Sequence, residues 1–220
     1  MRLPAPAGAL FDLDGTLVDT VRTRIEAWAR VFTEYDLPAD RDHLATLIGV
    51  DGKRLSREVA ALAGRTIDDD LAEAIDERCG EIYETLNIDP RRLPGVTELV
   101  AALEERSIPW AIATSSRSEQ VRGSVQALGL ANEPTIVDGS HVEHAKPEPD
   151  LLLLGAQRLG VRPERCWYVG DSTWDVVAAI AAGMVPIGVI AGSAVGESTL
   201  RGAGAALVVE TLHDLIGRLP

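Results

Sequence analysis

Residues 10–20 read Leu10-Phe11-Asp12-Leu13-Asp14-Gly15-Thr16-Leu17-Val18-Asp19-Thr20. A strand-like apolar run ends in two aspartates spaced two apart, and a glycine turn follows. Two unit charges about 4 Å apart repel by about 4 kcal/mol at an effective dielectric near 20. A chain that only needed to end a strand would avoid that cost, so the pair implies a cation.

Outward from this stretch, short apolar runs bounded by turn residues recur at Ala9–Leu13, Trp110–Ala113, Thr135–Val137, Cys166–Val169 and Ile187–Ile190. They have the composition of strands buried on both faces, as in a parallel sheet. Helical patterns lie between them: Val96, Leu99, Val100 and Leu103 after Pro94-Gly95; Val121, Val125 and Leu128 ending at Gly129; and Leu151–Leu159 closed by Gly160. This alternation implies an α/β fold, a doubly wound parallel sheet of the Rossmann type.

The interval from Val18 to Asp89 breaks the pattern. Its apolar residues recur at helical spacing: Val21, Ile25, Trp28, Phe32, Tyr35; Leu55, Val59, Leu62; Leu71, Ile75, Cys79, Ile82, Leu86. The segment is too long for a crossover. It is expected to form an inserted all-helical cap over residues 18–89, with 1–17 and 90–220 forming the α/β core. Open α/β sheets bind ligands at the carboxyl ends of their strands, and the cap is expected to open and close there.

Composition narrows the function. The 220 residues are 46% hydrophobic and 25% charged, as in an ordinary globular protein. A formal net charge of −13 speaks against general nucleic-acid binding, which needs a basic face. Cys79 and Cys166 fit no metal or redox spacing and read as buried, reduced thiols. Asp12 and Asp14 interrupt the only early apolar stretch, so no signal peptide is expected, and the expected location is cytoplasmic. Val176 to Val195 carries no charge, but its glycines and Pro186 divide it into a buried helix and a buried strand, so no membrane span is expected.

Polar groups gather where strands end. Trp110–Ala113 runs into Thr114-Ser115-Ser116, and Trp167-Tyr168-Val169 runs into Gly170-Asp171-Ser172-Thr173-Trp174-Asp175. Lys146 stands in a loop just ahead of a helix. His141 and His144 match no metal-binding spacing and read as loop residues.

Taken together, Asp-Leu-Asp-Gly-Thr at 12–16, the helical insertion, Thr114, Lys146-Pro147 and Gly170-Asp171 with Asp175 resemble the haloacid dehalogenase superfamily of phosphohydrolases. The likeness is to the branch capped after the first strand (phosphoglycolate phosphatases and β-phosphoglucomutases), and it covers nearly the whole chain. It implies a Mg²⁺-dependent phosphatase acting on a small phosphorylated metabolite through an aspartyl-phosphate. Asp12 would then be the nucleophile and Asp14 the general acid/base, with Thr16 orienting Asp14. The resemblance assigns the metal to the carboxylates of Asp12 and Asp171 and the main-chain carbonyl of Asp14, with Asp175 in the outer shell. Thr114, Ser115 and Lys146 would hold the substrate phosphate.

The second aspartate excludes a carbon–halogen substrate within this family, and Asp-Leu-Asp-Gly-Thr departs from the phosphonoacetaldehyde hydrolases. β-Phosphoglucomutases carry a hinge histidine where this chain has Arg24, and a Lys-Gly-x-Ser-Arg loop where it has Ile48-Gly49-Val50-Asp51-Gly52. Those losses favour transfer to water. Lys53 and Arg54, just beyond that loop, are expected to help select the substrate. Two alternatives remain: a β-phosphoglucomutase-like phosphotransferase, and a non-catalytic phosphate-binding regulator. The sequence sets neither the physiological substrate nor the oligomeric state.

Overall fold

The computed structural model describes residues 3–220. Strand β1 (Gly8–Phe11) is followed by four consecutive helices, α1 (Val21–Glu34), α2 (Arg41–Leu47), α3 (Gly52–Leu62) and α4 (Asp69–Leu86). Then come α5 (Val96–Glu105), β2 (Trp110–Ala113), α6 (Ser118–Ala127), β3 (Thr135–Val137) and α7 (Asp150–Leu159). The chain closes with β4 (Cys166–Gly170), α8 (Thr173–Ala181), β5 (Val185–Val189), α9 (Glu197–Gly202) and β6 (Leu207–Val209).

The six strands form one sheet in the order β3-β2-β1-β4-β5-β6, and every pairing is parallel. Alternation along each strand divides the core between two faces. Phe11, Ile112 and Val169 join α5 residues Leu99 and Leu103 on one side. Leu10, Ala113 and Tyr168 meet Leu151 and Leu152 of α7 and Ala178 of α8 on the other. The chain leaves β1 towards β2 and β3, then returns to β4 on the opposite side of β1. The crevice between β1 and β4 is thus the switch point where such sheets take ligands. Phe11 pairs with Ile112 and with Val169. That register brings the residues next in the chain, Asp12, Ala113-Thr114 and Gly170-Asp171, to one edge.

Helices α1–α4 carry an apolar cluster of their own, including Trp28, Phe32, Leu44, Leu55, Ile75 and Tyr83. Asp40, Asp51 and Asp68 cap the amino termini of α2, α3 and α4 by accepting backbone N–H bonds. The uncharged 176–195 stretch is α8 and β5, as its punctuation implied. No helix among the described residues is long and apolar enough to cross a membrane.

Three details differ from the sequence expectation. Leu62, counted in the stripe of α3, is the last residue of that helix and is 61% exposed, whereas Leu55 and Val59 are buried. Helix α2 carries too few apolar residues to show a period. Edge strand β6 has three residues beside a glycine-alanine run, too short for an alternation to register.

Candidate active site

Lys146 enters from the loop ahead of α7 and is fully buried. Its Nζ donates to Asp12 Oδ1 at 2.7 Å, to Asp175 Oδ1 at 2.7 Å and to the Tyr168 hydroxyl at 3.3 Å. Asp171 lies beside them, and carboxylate oxygens of Asp12, Asp171 and Asp175 fall within 4.8 Å of one another. Thr16 Oγ1 donates to Asp171 Oδ1 at 3.0 Å. Gly15, at φ +79°, lets the turn after β1 pass against the Asp171 carboxylate, where any Cβ would collide with Oδ2.

Electrostatically this centre is short of positive charge. Burial, the larger effect, and the Asp175 and Asp14 charges push Asp12 up to about 7 despite Lys146. Burial and the charges of Asp175 and Asp12 hold Asp171 well above the usual carboxylate range. Burial alone would depress Lys146, yet its two carboxylate partners raise it, so it stays cationic. Four carboxylates, with Asp14, thus face two cations, Lys146 and Arg24. The deficit of two charges and the all-oxygen donor set fit one hard divalent ion such as Mg²⁺. Asp12 Oδ2 receives no hydrogen bond among the described residues, leaving it open to such an ion. Asp175 is poorly placed to be a direct ligand. Its Oδ1 faces Lys146 and Tyr168, and its Oδ2 accepts from Ser172 N at 2.9 Å and Ser172 Oγ at 2.6 Å. Asp175 therefore anchors Lys146 to the first turn of α8.

Asp14 has a separate set of partners. Its Oδ2 accepts from Arg24 Nη2 at 2.9 Å, Arg24 Nε at 3.1 Å and Ser116 Oγ at 2.9 Å. Its Oδ1 accepts from Thr20 at 2.5 Å and Tyr83 at 3.1 Å. Burial pushes this carboxyl up, but the Arg24 charge and the Thr20, Arg24 and Ser116 hydrogen bonds outweigh it. They hold Asp14 below the usual range. Thr20 thus does what was expected of Thr16, whose hydroxyl faces Asp171 instead. The turn between them sends residues 16 and 20 to opposite aspartates.

Thr114 is buried at the end of β2, and its Oγ1 accepts the Ser116 N–H at 3.3 Å. Ser115 Oγ donates to the Gly49 carbonyl of the helical layer at 3.1 Å. These groups line a partly open cavity of about 50 Å³, shared by Asp12, Asp14, Thr114, Ser115 and Lys146 with Arg24, Asp76 and Gln120. Lys53 and Arg54 do not line it. They border a separate groove with His144 and pair with Glu73 at 3.5 Å and Glu58 at 3.0 Å. The structure thus brings together every core residue expected at the site and leaves these two cap residues outside the cavity.

Sequence reasoning missed Tyr83, Asp76 and Gln120, and saw Arg24 only as a replacement for a mutase histidine. A signal was present in Gly80, mid-helix in α4, where a Cβ would meet the Gln120 side chain at 2.5 Å. A glycine inside a helical pattern often marks close approach by a neighbour.

Comparison with known proteins supplies the family. The pattern of the haloacid dehalogenase-like hydrolases matches residues 9–189. The chain belongs to the haloacid dehalogenase-like hydrolases. Hexitol phosphatase A of Escherichia coli (strain K12) is 37% identical over 176 residues, covering 80% of this chain and 79% of that protein. Phosphoglycolate phosphatase of the same organism is 29% identical over 235 residues, covering 96% and 92%. A hydrolase from Pseudomonas syringae superposes with a TM-score of 0.90 at 32% identity, covering 96% of each chain. The haloacid dehalogenase-like chain is an enzyme, and these relatives make it a phosphatase.

Proposed function

We propose that this phosphatase is Mg²⁺-dependent and hydrolyses a small phosphorylated metabolite through an aspartyl-phosphate on Asp12. The carrying observation is the buried Lys146 bridge between Asp12 and Asp175, with Asp171 alongside. Asp12 attacks phosphorus and the bond to the leaving oxygen breaks. Asp14, which Arg24 holds ionised at rest, takes the proton carried by the substrate's phosphate monoanion and passes it to the leaving oxygen, making an alcohol. Asp14 then takes a proton from water, which attacks the acyl-phosphate; orthophosphate leaves with that proton, restoring Asp12 and Asp14. Such proton transfers contribute about 10²–10⁴-fold each. Lys146, the Thr114 hydroxyl and the Ser115 amide hold the phosphoryl oxygens. Asp12, Asp171 and the Asp14 carbonyl would hold the metal, which would supply charge neutralisation where two anions meet.

Residues 18–89 act as a cap on a core of 1–17 and 90–220, supported by their separate apolar clusters. A cavity of about 50 Å³ holds a few waters. The cap therefore opens for substrate and closes over it. The hexitol phosphatase and phosphoglycolate phosphatase relatives support a phosphorylated polyol, sugar or short acid as substrate.

The test is p-nitrophenyl phosphate with Mg²⁺. Asp12→Asn is expected to lose turnover by at least ~10³-fold and to trap no phosphoenzyme. Asp14→Asn is expected to keep a first-turnover burst of p-nitrophenol, which leaves without a proton, and then to stall. Retained steady turnover by Asp12→Asn overturns the nucleophile assignment.

A further inference from the structure

The phosphate end of the cavity is accounted for by Asp12, Thr114 and Lys146. Beyond Asp14, where the leaving group must lie, the lining passes to Arg24, Trp28, Leu55, Asp76 and Gln120. Two polar atoms at this end have no protein partner among the described residues. Asp76 Oδ2 is held by Arg117 at 3.0 Å, but Oδ1 accepts no hydrogen bond and rests against the Gly52 backbone, where a Cβ would collide with it. Gln120 Oε1 accepts from Arg24 Nη1 at 3.0 Å, and its Nε2 donates to nothing. The leaving-group end thus offers one strong acceptor and one free donor.

Its fixed charges are already matched. Arg24 is paired with Asp14; Arg117 bridges Asp76 and Glu73 (2.5 Å to Glu73), and Lys53 reaches Glu73 at 3.5 Å. Three cations thus meet three carboxylates, and Asp51, the N-cap residue of α3, adds a further negative charge nearby. A ligand carboxylate entering here would face Asp76 Oδ1 with no free cation to meet it. A hydroxyl can donate to Asp76 and accept from Gln120 Nε2 without bringing charge.

We infer that Asp76 and Gln120 are specificity residues that read hydroxyl groups on the leaving group, so that the preferred substrate is a phosphate ester of a neutral polyol and not of a short carboxylic acid. This rests on the phosphatase reading above and narrows it. Asp76 comes from α4 and Gln120 from α6, so the subsite is assembled only when the helical layer lies on the sheet domain. A correctly hydroxylated leaving group therefore favours closure over Asp12.

The experiment compares kcat/KM for sorbitol 6-phosphate and 2-phosphoglycolate, with p-nitrophenyl phosphate as reporter, in the wild type, Asp76→Asn and Gln120→Leu, each with Mg²⁺. The wild type is expected to favour sorbitol 6-phosphate by at least about tenfold. Asp76→Asn is expected to shrink that ratio by about tenfold, the scale of one charge-assisted hydrogen bond, and to gain on 2-phosphoglycolate in absolute rate. Gln120→Leu is expected to lose about tenfold on sorbitol 6-phosphate alone, and it tests the subsite even if Asp76→Asn folds poorly. A wild type that favours 2-phosphoglycolate overturns the inference, as does a ratio moving less than about twofold in both variants. If p-nitrophenyl phosphate is turned over while the ratio stays put, the subsite alone is wrong; no turnover of any ester by the wild type removes the phosphatase reading with it.

Discussion

Arg24, on the first helix after β1, and Asp14, in the turn after that strand, form a buried ion pair of 2.9 Å that ties the helical layer to the sheet domain. The guanidinium also lies 3.5 Å from the centre of the Tyr83 ring and bonds Ser116 and Gln120 across the gap. The Asp14 carboxylate is thereby the hub between the two layers.

Removing one partner of a buried pair strands the other. Arg24→Met is expected to cost about 3–5 kcal/mol, read as a lowered urea midpoint. In the Asp14→Asn background the same change is expected to cost much less, since no charge remains to strand. Arg24→Lys restores little, because a compact ammonium can neither span Asp14, Ser116 and Gln120 nor stack flat on Tyr83. Additive costs in the double variant would show that the pair carries no coupling.

A divalent ion that binds the folded chain through Asp12 and Asp171 must stabilise it by mass action. Mg²⁺ at about 100 times its dissociation constant is expected to add about 2.7 kcal/mol. For a chain of this size that raises the melting temperature by roughly 5–10 °C, and EDTA reverses it. Asp171→Asn is expected to abolish the shift, and Asp175→Asn only to reduce it. Calorimetry without substrate reads this apart from catalysis, and an equal shift in Asp171→Asn would remove Asp171 from the ligand set.

Asp76 carries a pH signature. Burial, the larger effect, and the charges of Asp51 and Glu73 raise it from 3.8 to about 6, against Arg117 and Arg24. A carboxyl raised on folding binds its proton more tightly in the folded chain, so its ionisation weakens the fold. The penalty is absent below about pH 4, grows between about pH 4 and 6, and is complete above, reaching about 3 kcal/mol. Asp76→Asn, which cannot ionise, is expected to melt higher than the wild type at pH 8 and alike at pH 4, both at saturating Mg²⁺. A difference independent of pH would contradict this. A carboxylate kept at a cost to stability is what a ligand-reading residue predicts.

The sequence by itself determined the parallel core and the edge at which its aspartates gather. Apolar runs buried on both faces specify strands of one sheet, and parallel strands present all their carboxyl ends on the same side. Asp12, Thr114 and Asp171 therefore meet although more than a hundred residues separate the first from the second. Lys146 was legible from its place in a motif rather than from any local periodicity. The tertiary structure decided what lines the cavity beyond Asp14. A helical stripe says which side of α1 or α4 is buried, but not that Arg24 turns to Asp14, or that Asp76, packed against Gly52, and Gln120, packed against Gly80, line one cavity. Those contacts depend on the rotation and seating of one layer upon another, a long-range packing outcome that no spacing within a single helix encodes. The same reason put Lys53 and Arg54 outside the cavity and left Leu62 in solvent.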